Sequence, residues 1–195
     1  MLREIICDKF KEKKIEFHDG LNVVLGDEQG SNSIGKSTFL MIIDYVYGGK
    51  DYVMKSIDIQ RNVGAHIIKF SFMFKGNKYY FSRNTNDTEY VNICNDKYEV
   101  TETITLEQYT NKLKSLYEFG DKDISFRDVV GRYIRVYGKD NLNEKHPLDA
   151  VGNEKPTQAM NALLKLYDLY AAISELEDLA KRKGDELNAL KNAQK

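Results

Sequence analysis

The sequence predicts an α/β fold, and three observations predict it. Gly30-Ser31-Asn32-Ser33-Ile34-Gly35-Lys36-Ser37-Thr38 fits the pattern G-x-x-x-x-G-K-[ST]. It stands between a strand-like run, Leu21–Leu25, and a helix-like run, Phe39–Tyr47, which Gly48-Gly49 closes. Downstream, His66–Phe74 alternates, with Ile68, Phe70, Phe72 and Phe74 on one face. Gly76-Asn77 then turns the chain into Lys78–Arg83, an antiparallel hairpin signal. Last, Ala162, Leu166, Leu169, Ile173, Leu176, Ala180, Lys183, Leu187 and Leu190 are spaced 4-3-4-3-4-3-4-3, the seam of a coiled coil.

The elements follow in order. Residues 2–8 read as a short strand, and residues 13–18 as a second, with Ile15 and Phe17 alternating against Glu16. His18-Asp19-Gly20 supplies a turn. Leu21–Leu25, nearly all apolar with Val-Val near its centre, is expected to be a buried strand. A helix over residues 36–47 follows the glycine-lysine-serine loop. Residues 50–64 are polar and irregular. A strand pair, 89–94 and 97–100, meets at Asn95-Asp96. Residues 105–119 have helical spacing, and Ser125 caps a second helix running to Tyr137. Residues 138–155 read as loop. Pro156 suits a helix start, and the chain then runs to Lys195 without another proline. This gives an N-terminal lobe, 1–155, and a long helix, 156–195, which packs on the lobe over 157–173 and leaves it from about 174. Lys183 interrupts the apolar seam beside Gly184.

The loop has the chemistry to hold a triphosphate. A helix start offers unpaired N–H groups and the positive end of a dipole to phosphate oxygens. Gly30 and Gly35 allow the backbone to approach closely. Lys36 reaches the β- and γ-phosphates, the Ser37 hydroxyl is the expected Mg²⁺ ligand, and Thr38 adds a hydroxyl near the α-phosphate. Asn32 and Ser33 stand where further phosphate donors are expected. Gly26-Asp27-Glu28-Gln29 separates strand and loop, and its two acidic residues sit unusually beside an anion site.

Composition excludes several classes. The chain has 195 residues, 42% of them hydrophobic, and a net charge of −1, so it lacks the global basic footprint of a nucleic-acid binder. Lys9, Lys11, Lys13 and Lys14 form a local basic cluster, equally compatible with a solvated strand edge. Mean hydropathy is −0.54. No apolar run approaches the ~18 residues of a membrane span, and no signal peptide is read at the N-terminus. Cys7 and Cys94 lack metal-ligand spacing and suit reduced thiols in a cytoplasmic protein.

The order of these elements resembles the N-terminal half of the ATPase head of SMC proteins and their DNA-repair relatives, within the ABC ATPase class. Gly20–Gly26, Asn32–Thr38 and Phe70–Arg83 carry the resemblance, with Ser125-Phe126-Arg127 and Arg132-Tyr133-Ile134-Arg135. The last two, together with Asn32–Ser37, Ile43-Asp44-Tyr45 and Gly48-Gly49, also resemble a bacterial branch of SMC-like ATPases. The resemblance implies a P-loop NTPase lobe with a mixed sheet and antiparallel hairpins, binding ATP and Mg²⁺. It also implies that Arg83 lies near the nucleotide. The partner would be a C-terminal half or a second head, with homodimer and DNA as further partners and no membrane. The roles implied are DNA repair, chromosome maintenance or phage defence.

Two parts of that family's machinery are missing. The chain contains no Ser-Gly-Gly, and no apolar strand ends in an acidic pair, since Ile42-Ile43-Asp44 falls in the helix after the loop. No glutamine loop is evident, although Arg132 and Arg135 lie in its region. The expectation is an ATPase only when completed, with no catalytic residue of its own. The alternatives are a self-contained P-loop kinase or GTPase and a non-hydrolysing nucleotide-bound assembly protein. A GTPase needs Asn-Lys-x-Asp, but Asn111-Lys112 continues Leu113-Lys114.

Overall fold

Alternating apolar residues build the centre of the molecule. In a computed structural model, which describes residues 1–25, 33–136 and 138–193 but not the side chains of Ser33, Ile34 and Gln60, six strands form one sheet. They are β1 (Leu2–Ile6), β2 (Lys14–Glu16), β3 (Ile67–Phe74), β4 (Asn77–Asn84), β5 (Asp87–Cys94) and β6 (Val100–Thr105), in spatial order β2-β1-β3-β4-β5-β6. Every neighbouring pair is antiparallel. Phe70 pairs with Phe81, and Ile5 with Phe70, so one face of the sheet is a buried apolar layer. The opposite face is polar. There Glu4 accepts from the Ser71 hydroxyl at 2.9 Å and the Tyr98 hydroxyl at 2.9 Å, and pairs with Lys14 at 3.0 Å.

Helices cover the apolar face. α1 (Ser33–Val46) contributes Met41, Ile42, Tyr45 and Val46 to the core. The segment expected to be irregular forms two short helices, α2 (Asp51–Met54) and α3 (Ile57–Asn62). α4 (Leu106–Leu116) starts at a capping box: the Thr105 hydroxyl accepts from the Gln108 N–H, and the Gln108 side chain accepts from the Thr105 N–H. It buries Tyr109 and Leu113. Ser125 caps α5 (Phe126–Tyr133), accepting from the Asp128 N–H at 3.0 Å. α5 stops short of the expected end because Ile134 is already extended, with ψ 124°. Tyr137 lies outside the described residues.

Three sequence expectations are corrected. Leu21–Leu25 is not a strand among the described residues and is not buried: Leu21 is 81% and Leu25 84% exposed. An apolar run specifies a buried strand only where neighbours pair with it on both sides, and all six strands of the sheet are paired without it. For the same reason the sheet is antiparallel rather than mixed. Finally, the C-terminal helix is divided into α6 (Pro156–Leu166) and α7 (Tyr170–Ala193). Pro156 opens α6, and Ala159 and Ala162 are buried, but the chain breaks at residues 167–169. Gln194 and Lys195 lie outside the described residues.

The stretch from 138 to 155 has no regular structure, yet side chains fix it. Asn141, 1% exposed, donates its amide N–H groups to the carbonyls of Gly131, Ile134 and Ala150. Arg132 is buried and grips both carboxylate oxygens of Glu154 at 3.0 Å, while donating to the Leu148 carbonyl at 2.8 Å. The Ala150 N–H donates to Glu154 as well. Burial pushes the Glu154 pKa up, but Arg132 and the Ala150 N–H outweigh it and hold the carboxyl below its usual range. A depressed carboxylate pKa adds stability that is present above the unfolded value, near 4.5, and disappears as pH falls through the lower folded value. Thermal melts between pH 7 and pH 3 are therefore expected to show a steeper acid loss in the wild type than in Glu154→Gln. Equal slopes would remove this carboxylate from the acid response.

Candidate nucleotide site

The site is organised by α1. Its first turns carry Gly35, Lys36, Ser37 and Thr38, with Gly35 and Lys36 exposed and Ser37 and Thr38 half-buried. Gly30 and Asn32 lie outside the described residues, as does the side chain of Ser33, whose backbone begins the helix. An exposed lysine and a hydroxyl at the positive end of a 14-residue helix suit a polyphosphate with its Mg²⁺.

A groove of about 670 Å³ opens beside these residues. Gly35 and Thr38 line it next to Phe39 and Ile42 from α1, with Phe10, Ile15 and Val24 from the N-terminal segment. Lys9, Lys11 and Glu12, on the turn between β1 and β2, also line it and are exposed. The groove's lining is largely apolar, with the Phe10 and Phe39 rings in it, as in pockets that take small organic ligands.

The far end of α1 is equally specific. A helix leaves its last four carbonyls without internal partners. Here the backbone N–H groups of Tyr47, Gly49 and Gly48 serve the carbonyls of Ile43, Asp44 and Tyr45, while cations and a phenol from distant segments serve Val46, add to Tyr45 and reach the carbonyls just beyond the helix. Arg83 donates to the carbonyls of Tyr45 and Gly49, Arg127 to that of Tyr47 at 2.9 Å, and the Tyr109 hydroxyl to that of Val46 at 2.7 Å. Arg83 is fully buried, lies 3.8 Å over the Tyr45 ring, and also donates to the Thr88 carbonyl. Burial lowers the Arg83 pKa, although neighbouring groups partly oppose the shift. Arg83 therefore does not stand with Lys36: the carbonyl of Tyr45 that it holds is about 14 Å along the helix axis from that residue.

Asp44 joins this end of α1 to the rest of the chain. It is buried, with Arg127 at 2.6 Å and Lys139 at 3.1 Å from Oδ1. Gly49 makes room for it, because a Cβ there would meet Asp44 Oδ2 at 1.9 Å. Gly48, at φ +91°, makes the turn that follows. Arg132 and Arg135 are committed to the 138–155 stretch: Arg135 donates to the carbonyls of Arg132 and Pro147. Sequence reasoning missed Arg127, Lys139 and Tyr109. Two signals were available: Asp44 interrupts an apolar helix face, and the period of 2 along β4 places Arg83 on the same face as Phe81.

Among the described residues no helix is long and apolar enough to cross a membrane. No curated protein and no solved structure matches the chain. A family model described as an AAA domain matches residues 7–195. That match spans the glycine-lysine-serine loop, α1 and every strand of the sheet except β1, so nucleotide binding of the ATPase type is the function these residues share with the family, whose members generally bind ATP with Mg²⁺. The chain belongs to the AAA domain family of P-loop ATPases.

Proposed function

We propose that this chain is the nucleotide-binding lobe of an SMC-like ATPase, which takes up Mg²⁺-ATP on the N-terminal turns of α1 and hydrolyses it only with a completing half or a second head. The observation that carries this reading is the apolar segment leading into the loop. Leu21, Val23, Val24 and Leu25 are all more than half exposed in a position where a buried strand is expected. Burying them requires a strand supplied by another piece of polypeptide. The exposed apolar seam of α7, with Leu176, Leu187 and Leu190 on it, asks for a partner in the same way.

The roles of the residues follow from position. Lys36 neutralises the β- and γ-phosphates, Ser37 holds Mg²⁺, Thr38 lies near the α-phosphate, and the groove beside Phe39 receives the base. Gly30, Asn32, Ser33 and Gly35 complete the phosphate cradle. Arg83 acts on α1 rather than on the nucleotide. The groups that orient water and stabilise the transferring phosphoryl come from the completing half, because positioning and charge stabilisation supply most of the rate in this chemistry. DNA repair, chromosome maintenance and phage defence are the settings that this assignment fits.

Calorimetry with Mg²⁺-ATP and a turnover assay on the same sample test it. The chain is expected to bind Mg²⁺-ATP with slow or no turnover, and Lys36→Ala to weaken binding about 10- to 100-fold, the worth of a charge-assisted phosphate contact. Efficient turnover by this chain alone, lost in Lys36→Ala, would overturn the incomplete-head reading in favour of a self-contained enzyme.

A further inference from the structure

The apolar seam of the C-terminal segment runs through residues 166, 169 and 173 without a change of spacing, yet the helix that would display it is broken there. Sequence and structure thus describe two different arrangements of one segment. The break is a specific cap. Asp168 has φ +59°, the Leu169 N–H donates to the Leu164 carbonyl at 2.8 Å, and the Asp168 N–H points back to that of Lys165. A left-handed residue at such a cap is usually glycine; aspartate takes this conformation more readily than most side chains but less readily than glycine.

Side chains hold the bend. Lys122 pairs with Asp168, and Lys165 pairs with Asp123 at 2.8 Å, so the loop between α4 and α5 and the break exchange one ion pair in each direction. Lys165 also lies 4.9 Å over the ring of Tyr170, the first residue of α7. Asp123 and Asp168 are 88% and 67% exposed, so these pairs are weak and easily screened. A left-handed position without glycine, fastened by screened ion pairs, is readily released.

We propose that residues 167–169 are a two-state hinge. In the bent state, seen here, the ion pairs fasten the break to the loop between α4 and α5. In the other state α6 and α7 join into one helix that displays the seam without interruption. Nothing in the inference depends on nucleotide binding. It rests on the seam spacing, the left-handed Asp168 and the paired ion pairs.

Spin labels on the full chain test the proposal. Cysteines replace Asn111 in α4 and Asn188 in α7, both exposed, while the native Cys7 and Cys94 are buried and spared. Asp168→Gly and Asp168→Ala both remove the charge and differ only in backbone preference. Glycine tolerates the left-handed turn and alanine favours the helix, so the ratio of bent to continuous populations is expected to fall about tenfold or more from the glycine to the alanine variant. Lys122→Met, which leaves Asp168 in place, is expected to raise the continuous population above that of the wild type, and raised salt to do the same. Identical distance distributions in Asp168→Gly and Asp168→Ala would overturn the hinge. A Lys122→Met distribution equal to wild type would overturn the role of the ion pairs.

Discussion

Arg83→Leu is expected to lower the melting temperature by about 10 °C or more, the largest effect of any exchange in the sheet. The side chain is fully buried and its guanidinium serves the carbonyls of Tyr45, Gly49 and Thr88. Leucine strips these carbonyls of the guanidinium inside the core, leaving that of Tyr45 only its Gly48 N–H donor, and each buried group left unsatisfied costs about 1–3 kcal/mol. It also removes a cation from the negative end of the α1 dipole. Arg83→Lys is expected to recover little, since one ammonium cannot reproduce a planar fork directed at three acceptors and stacked on Tyr45. The decisive comparison is nucleotide affinity at a temperature where both variants remain folded. An affinity close to wild type agrees with the placement of Arg83 far from Lys36, whereas a loss of nucleotide binding with an unchanged melting temperature would return this residue to the nucleotide.

Gly49→Ala is the second exchange with a large expected effect. The new methyl group would lie 1.9 Å from Asp44 Oδ2 and 2.9 Å from the Asp44 carbonyl oxygen. The carboxylate has little freedom to swing aside, because Arg127 and Lys139 hold Oδ1 and the site is buried. Relief requires either movement of the α1 terminus or loss of those ion pairs, and a cost of about 3–5 kcal/mol follows from breaking a buried pair. A double-mutant cycle makes the claim specific. Asp44→Ala alone leaves Arg127 and Lys139 without their anion and is expected to be destabilising. Combined with Gly49→Ala it removes the collision with the carboxylate, leaving the 2.9 Å contact with the Asp44 carbonyl oxygen, so the double variant should lose less than the sum of the two single losses. Strict additivity in denaturant unfolding would show that the Gly49 effect comes from backbone preference and not from the Asp44 carboxylate.

Local chemistry in the chain was easy to read. The alternation of Ile68, Phe70 and Phe72 identified β3 and its hairpin because one face of a sheet must be apolar. Ser125 marked a helix start because a side-chain oxygen there satisfies an otherwise unpaired N–H, and the spacing of Leu106, Tyr109 and Leu113 marked the helix before it. Gly35-Lys36-Ser37-Thr38 stood out because few residue types suit a phosphate at a helix start. The misreadings all involve distant partners. The apolar character of Leu21–Leu25 states that burial is favourable without stating what provides it. The spacing of Leu166, Leu169 and Ile173 reports a common face, but not the left-handed Asp168 or the lysine and aspartate of another loop that act on it. The resemblance put Arg83 near the nucleotide, and nothing local tells that the carbonyls it serves, those of Tyr45 and Gly49, lie 34 to 38 residues earlier in and just after α1.

The exposed run before the loop also bears on how the chain behaves while it is being made. Leu21, Val23, Val24 and Leu25 are exposed, strand-forming side chains and carry no proline or charge to deter association. Such a segment accepts whichever extended chain arrives first. Two nascent copies can then pair through this run before either is covered, and their local concentration decides whether the ribosome's product stays dispersed or clumps.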